Sequence, residues 1–351
     1  MATFIMAGGG TGGHVIPGLA VARELRDRGH NALFIGTRRG MEARLVPAEN
    51  FPIGWIEIGG LKRVGLRKTF SSLTALPSSV WQARRMVERA KAAAVFSTGG
   101  YVAGPVLLAA LGMRLPIIVM EPNAVPGFTH RHLARFVTRA LVSFPESQAC
   151  FPEGRSEVTG MPVRAEFFAI PRKRPANKLT VLITGGSQGS RTLNRAAAES
   201  WGAFRVIHQT GASAYEELAR KFNVSGAEGE IRGFIDNMPQ AYAQADLVVS
   251  RAGMSTISEL AAAGKPSILA PLPTASDQHQ LRNAEAFEKA GAARLVLDSE
   301  MNGARLIQEV QRLEADPRRL EAMGEAARGF AKPDAARRAA EILEEVGWSG
   351  L

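Results

Sequence analysis

Three glycine-rich turns and one serine-rich segment hold residues whose types and spacing suit a phosphorylated ligand. The first is Gly8-Gly9-Gly10-Thr11-Gly12-Gly13-His14, between an apolar run and a helical pattern with Val15, Leu19, Ala22 and Leu25 on one face. Glycine lets backbone approach a ligand closely, and a helix start presents unpaired N–H groups to an anion. Thr98-Gly99-Gly100-Tyr101-Val102-Ala103-Gly104-Pro105 and Gly185-Gly186-Ser187-Gln188-Gly189-Ser190 repeat the arrangement. One such turn reads as packing; three at strand ends read as a phosphate- or sugar-binding cleft. The segment Ser250-Arg251-Ala252-Gly253-Met254-Ser255-Thr256-Ile257-Ser258-Glu259 turns at Gly253 and opens a helix, where Glu259 could take both hydroxyls of a ribose. Ser255 and Glu259 have a second reading, as residues that cap a helix and favour its dipole.

Single residues extend the set. Arg164 sits at the junction of two halves of the chain, where it could neutralise a diphosphate leaving group or be an ordinary surface arginine. Asp277-Gln278-His279-Gln280 leads toward Asn283 in a polar segment suited to sugar hydroxyls. A nicotinamide site is disfavoured, because Gly36-Thr37-Arg38-Arg39 stands where an acid would hold the ribose. The one cysteine, Cys150, excludes an intramolecular disulfide framework, suits a reducing compartment and reads as a small core hydrophobe.

The elements that position these residues alternate in type. Apolar runs at 3–7, 32–36, 94–97, 116–120 and 140–143 predict strands, with helical patterns near 17–28, 78–91, 104–112 and 127–136. The series restarts with strands at 179–184, 204–209, 246–250, 267–271 and 293–297 and helices at 191–200, 213–222, 255–263 and 278–290. Near-continuous apolar strands alternating with helices predict parallel sheets covered on both faces. Residues 151–178, rich in Pro and basic residues, read as a linker, and the chain beyond 300 reads as helical. The expected fold is α/β, two Rossmann-like doubly wound domains facing a cleft. Their expected bounds are 1–163 and 164–332, with a helix at 333–351 returning to the first domain.

Charge separates the halves. Residues 1–164 carry 20 Lys and Arg against 10 Asp and Glu, whereas 165–351 carry 23 of each, so the whole excess of +10 lies in the first half. Lys62, Arg63, Arg67, Lys68, Arg84, Arg85, Arg89 and Lys91 stand among Leu66, Phe70, Leu73, Leu76 and Trp81, which suggests an anionic partner or a merely solvated basic face. The N-terminus has no basic region before its first apolar run and reads as a strand rather than a signal peptide. The most apolar stretch, 101–120, is broken by Gly104-Pro105, Arg114 and Pro116, which argues against a membrane span. A cytoplasmic protein is expected.

Taken together, Gly9 to Gly18, Gly100 to Pro105, Gly185 to Gly189 and Arg251 to Glu259 resemble the MurG family of N-acetylglucosaminyltransferases, in the right order over nearly the whole chain. The resemblance implies a GT-B fold and metal-independent, inverting transfer from UDP-N-acetylglucosamine, with no cofactor and no nucleic-acid partner. The acceptor would be the 4-hydroxyl of the muramyl sugar in undecaprenyl-diphosphoryl-muramoyl-pentapeptide, on the cytoplasmic face of the inner membrane. The basic segment 62–91 would then rest on anionic lipid. By motif, Thr11, Gly12, Gly13, Asn123, Arg164 and Ser187 would hold the donor, and Ile235 would meet the uracil through its backbone. Met254, Ser255, Thr256, Ile257 and Ser258 would line diphosphate and ribose, Glu259 would bind the ribose, and Gln280 the donor sugar.

Inversion needs a base on the acceptor hydroxyl and charge stabilisation on departing UDP. His14 is the candidate base; its rival roles are a hydrogen bond to the donor phosphate and a histidine at a helix start. Met120-Glu121-Pro122-Asn123 departs from the family's His-Glu-Gln-Asn, which removes that histidine and leaves His14 or Glu121 as base. Met161 likewise replaces an asparagine before Pro162. Alternative readings are a GT-B relative with another lipid acceptor, a UDP-sugar epimerase, or a binding protein without activity.

Overall fold

The computed structural model describes residues 1–58, 65–172, 178–275 and 278–348, with the backbone alone for 65–75 and 348. Lys62, Arg63 and Asp277 therefore lie outside the described residues, as do the side chains of Leu66, Arg67, Lys68, Phe70 and Leu73.

Two compact units form, one from Met1–Pro162 with Asp334–Leu351, the other from Val163–Pro333. In the first, strands β1 (Thr3–Gly8), β2 (Asn31–Gly36), β3 (Ile53–Trp55), β4 (Ala94–Gly99), β5 (Ile117–Glu121), β6 (Arg139–Val142) and β7 (Ser156–Val158) make one parallel sheet in the order β3-β2-β1-β4-β5-β6-β7. In the second, β8 (Thr180–Thr184), β9 (Arg205–Gln209), β10 (Gly229–Arg232), β11 (Leu247–Ser250), β12 (Ser267–Leu269) and β13 (Ala293–Leu295) do the same in the order β10-β9-β8-β11-β12-β13. Both sheets thus reverse direction of strand addition beside their first strand. That reversal opens a crevice at the strands' carboxyl ends.

The central strands form where β-branched and aromatic residues run together: β4 and β5 are buried at every position, as are β8 and β11. Ile5, Val95, Ile117 and Val119 pack with Val102, Val106 and Leu107 of the following helix. Val181, Ile183, Val206 and Val249 pack with Leu193, Leu306, Val310 and Trp201 in the second unit. Strands β3, β7 and β10, none of which the periodicity predicts, lie at sheet edges and are three or four residues long and half-buried or exposed. A short edge strand needs no continuous apolar run, so it leaves little trace in sequence.

Two other expectations shift. The first helix starts at Gly12 rather than near residue 17, with Pro17 inside it, so the carbonyl of Gly13 has no N–H to receive from position 17. Cys150 is exposed rather than in the core. The last helix, Ala335–Trp348, packs on the helix Gly12–Asp27, and its Arg338 reaches Glu157 Oε1 at 2.8 Å and Oε2 at 3.0 Å.

Candidate active site

In the first unit the glycine turns after β1 and β4 interlock. Gly100 adopts φ +82°, and a Cβ there would lie 2.3 Å from the carbonyl oxygen of Gly9; one on Gly10 would strike the Tyr101 ring at 2.7 Å. Only glycine permits such an approach of backbone to backbone. Buried Glu42 holds the first turn from behind: it accepts hydrogen bonds from Gly10 N–H at 2.8 Å and from Thr37 N–H and Oγ1 at 3.0 and 2.8 Å. Tyr101 Oη pairs with Thr37 Oγ1 at 2.9 Å and closes the ring of contacts.

His14 projects from the first turn of its helix, half-buried, with Nδ1 2.8 Å from the carbonyl oxygen of Thr98. A carbonyl only accepts, so Nδ1 carries a proton, and in the neutral ring the lone pair is on Nε2. Thr98 returns the contact, donating from Oγ1 to the His14 carbonyl at 2.6 Å. Thr11 is the N-cap of this helix without a side-chain capping bond, and it is exposed, with Gly12 and Gly13 half-buried beside it.

Glu121, at the end of β5, is 2% exposed, and its carboxylate is fully occupied. Oε1 accepts from Asn123 N–H and Nδ2–H at 3.0 Å each; Oε2 accepts from Gly127 N–H at 3.0 Å and from His130 Nδ1 at 2.9 Å. Burial raises its pKa, but the bond and charge of His130 and the two backbone donors outweigh burial and leave it lowered. Four donors saturate the lone pairs of a carboxylate. This corrects the expectation of Glu121 as a base: a buried, saturated carboxylate of lowered basicity has nothing to offer an acceptor hydroxyl. Asn123 is part of that cluster and half-buried.

In the second unit the turn after β8 is built by the same steric logic. A Cβ on Gly189, φ +74°, would run into the Thr210 carbonyl, and one on Gly211, φ +81°, into that of Gln188. Ser190 caps the helix Arg191–Ala198, accepting from Leu193 N–H at 3.3 Å, while Ser187 stays exposed at the tip. Gln209, 1% exposed at the end of β9, donates to Thr184 Oγ1 and the Gly186 carbonyl and accepts Ile235 N–H at 2.8 Å. The Ile235 N–H is thus taken within the unit.

Arg251 lies at the centre of this edge. Its Nη1 donates to the carbonyls of Ala270 and Pro271 and to Asp298 Oδ1, and its Nη2 donates to Ser190 Oγ at 2.7 Å. One guanidinium thus ties together the ends of β11 and β12, the cap of the helix after β8, and the turn holding Asp298.

The helix Met254–Ala263 starts at the N-cap Gly253 with no side-chain capping bond, so Ser255 is an exposed hydroxyl in its first turn and not a cap. Ile257 is 2% exposed, and its N–H donates to the Gly253 carbonyl at 3.0 Å. That corrects its place among ligand-lining residues, since neither its side chain nor its N–H faces outward. Met254 is 8% exposed, while Thr256, Ser258 and Glu259 are half-buried. Burial pushes the Glu259 carboxyl up to about 7, with the charge of Arg164 opposing. Arg164 itself is exposed and stacks over Phe167 at 5.1 Å. Gln280 comes to the same place from the next helix: its Oε1 accepts from Leu272 N–H at 3.0 Å, and a Cβ on Gly253 would lie 4.0 Å from its Nε2.

Each unit therefore gathers its candidate residues at the carboxyl edge beside the strand-order reversal. Thr11, Gly12, Gly13, His14 and Asn123 belong to the first unit; Arg164, Ser187, Ile235, Met254 to Glu259 and Gln280 belong to the second. Glu42, Gln209 and His130, which sequence reasoning passed over, hold the turns in place. Gln209 is marked in the sequence only as a polar residue closing an apolar run, and Glu42 and His130 carry no comparable mark.

Two family models match successive parts of the chain. Residues 4–142 match the glycosyltransferase family 28 N-terminal domain, and residues 180–339 its C-terminal domain. The UDP-N-acetylglucosamine--N-acetylmuramyl-(pentapeptide) pyrophosphoryl-undecaprenol N-acetylglucosamine transferase of Solibacter usitatus is 58% identical over 98% of this chain and 96% of its own length. Its namesake from Halorhodospira halophila is 45% identical over 98% of both chains. The crystal structure of Acinetobacter baumannii MurG superposes with a TM-score of 0.83 at 33% identity, covering 98% of this chain and all of the other.

Proposed function

This chain belongs to glycosyltransferase family 28, among its MurG-type enzymes, and from that premise we propose how it transfers N-acetylglucosamine from UDP-N-acetylglucosamine to the muramyl sugar of a lipid-linked peptidoglycan precursor. The observation that carries the mechanism is the 2.8 Å contact of His14 Nδ1 with the Thr98 carbonyl, which leaves Nε2 as the basic nitrogen of the neutral ring. Nε2 takes the proton of the acceptor 4-hydroxyl as its oxygen attacks C1 of the donor sugar. The bond from C1 to the diphosphate oxygen breaks on the opposite face, the configuration inverts, and the electron pair leaves on UDP.

Charge builds on the diphosphate in that step. The first-turn N–H groups of the helix Met254–Ala263 and the turn around Ser187, with Arg164 beside them, supply fixed positive potential there. These groups take the part that a divalent cation plays in other nucleotide-sugar enzymes, so transfer is expected to persist in chelator. Glu259 receives the ribose hydroxyls, the Ile235 carbonyl meets the uracil, and Gln280 Nε2 meets the donor sugar. Thr11 to Gly13 and Asn123 complete the donor contacts.

Residues 1–162 supply the acceptor and membrane-surface roles along with the Thr11 to Gly13 and Asn123 donor contacts, and residues 163–333 supply the remaining donor contacts. In the helix Gly65–Arg89, Trp81 is 57% exposed, with Arg84, Arg85 and Arg89 exposed and the Arg85 guanidinium 4.7 Å over the Trp81 ring. An aromatic with arginines around it suits the headgroup level of an anionic bilayer, where each basic side chain adds about 1 kcal/mol. Among the described residues no helix is long and apolar enough to cross a membrane. The enzyme is peripheral to the cytoplasmic face of the inner membrane.

The test is transfer of labelled N-acetylglucosamine to the muramyl lipid in chelator, for wild type and His14→Ala. Wild-type transfer with a loss of 100-fold or more in the variant supports the assignment. Undiminished transfer by the variant would move the base elsewhere. Binding of UDP-N-acetylglucosamine without transfer would favour another acceptor.

A further inference from the structure

His130 is 2% exposed and sits on the helix Phe128–Leu133, away from every glycine turn in sequence. Its Nδ1 donates to Glu121 Oε2 at 2.9 Å, and its Nε2 lies 3.1 Å from Ser97 Oγ. Ser97, fully buried in β4, accepts Gly99 N–H on the same oxygen at 3.2 Å. His130 therefore bridges Glu121 and Ser97, and Ser97 in turn holds Gly99 N–H, so one continuous buried chain of hydrogen bonds runs from Gly99 to Glu121.

Gly99 is where this chain meets His14. It adopts φ +89°, and a Cβ on it would lie 3.4 Å from His14 Nδ1 and Cε1 and 3.5 Å from His130 Cε1. The two imidazoles thus flank a single glycine. Gly100, next along, faces the Gly9 carbonyl and the other edge of the His14 ring: a Cβ on it would lie 2.3 Å from the Gly9 oxygen and 3.2 Å from His14 Cδ2. The residue before the turn, Thr98, supplies the carbonyl that sets the His14 tautomer. A glycine pair with positive φ has many conformations available to it, and the buried chain of hydrogen bonds selects one.

We propose that His130 is a positioning residue for the transfer. It couples the anchored Glu121 carboxylate through Ser97 to the Gly99–Gly100 turn, which fixes the place and tautomer of His14. The inference rests on His14 being the base. Misplacement of a reacting group by about 1 Å costs on the order of 100-fold in rate, and loosening one turn falls somewhat below that.

The experiment is a pair of double-mutant cycles, His130→Ala and Ser97→Ala, each made in wild type and in His14→Ala, with transfer and the KM for UDP-N-acetylglucosamine measured. In the wild-type background each variant is expected to lower kcat 10- to 100-fold, with donor KM within twofold. In the His14→Ala background each is expected to cost less than threefold, because a base that is absent cannot be misplaced. Equal losses in both backgrounds would overturn the positioning role and leave His14 as base. So would kcat within twofold of wild type for both variants. A fully active His14→Ala enzyme would instead overturn the base assignment, and the inference with it. If His130→Ala fails to fold by thermal melting, Ser97→Ala, which removes one oxygen, decides the question.

Discussion

Glu259 offers a quantitative test of the donor site, because its carboxyl titrates near neutrality. Burial raises it from 4.5 to about 7, against the opposing charge of Arg164, and its charge in turn helps push the buried Tyr242 hydroxyl higher. If the ionised carboxylate is the form that accepts two ribose hydroxyls, apparent affinity scales with its ionised fraction. That fraction is roughly nine-tenths at pH 8 and one-tenth at pH 6, so the Kd for UDP-N-acetylglucosamine rises about tenfold between them. The sign for stability follows from the same shift. The folded pKa lies above the unfolded one, so the folded state binds more protons between about 4.5 and 7. Stability therefore falls as pH rises through that window and stays reduced above it, by at most about 3 kcal/mol for a half-buried group. Glu259→Gln should melt at higher temperature than wild type at pH 8, yet bind donor poorly and without the pH dependence. Calorimetric titration from pH 6 to 8 and thermal melting at both ends measure the two effects. A wild-type Kd flat across that range, or a Glu259→Gln variant that keeps the slope, would refute this account of the site.

Two further predictions concern the scaffold. Arg251→Ala unties Ser190, Ala270, Pro271 and Asp298 at once and leaves Asp298 without its cation; a loss of about 3 kcal/mol is expected by denaturant unfolding, with donor KM raised about tenfold. Gly100→Ala and Gly29→Ala both place a side chain at φ +82°, but only the first meets backbone, at 2.3 Å. Gly29→Ala should cost about 1 kcal/mol, whereas Gly100→Ala should cost several times more and abolish transfer. Similar melting temperatures for the two variants would refute the interlocked turns.

The central strands were legible because they are buried on both faces, which forces unbroken apolar runs such as Ile117–Met120 and Val181–Ile183. The glycine turns were legible for a related reason. Positive φ and backbone contact at Gly100 and Gly189 exclude every other residue, so the constraint is written in the residue type. The edge strands β3, β7 and β10 left no comparable mark, since one free edge and partial burial tolerate almost any composition.

The roles of individual polar residues came only with the fold. Glu121 reads in sequence as a candidate base, and burial under four donors makes it an anchor instead. Ile257 stands in a motif of ligand-facing residues, but helical geometry turns it to the core. Glu42, Gln209 and His130 act on turns 32, 23 and 31 residues away, at Gly10, Gly186 and, through Ser97, Gly99, distances along the chain at which sequence patterns carry no signal. Sequence determines what is set by local sterics and by burial of whole elements. Hydrogen-bond partners at long separation are decided by how the sheet brings strand ends together, and only the tertiary structure shows them.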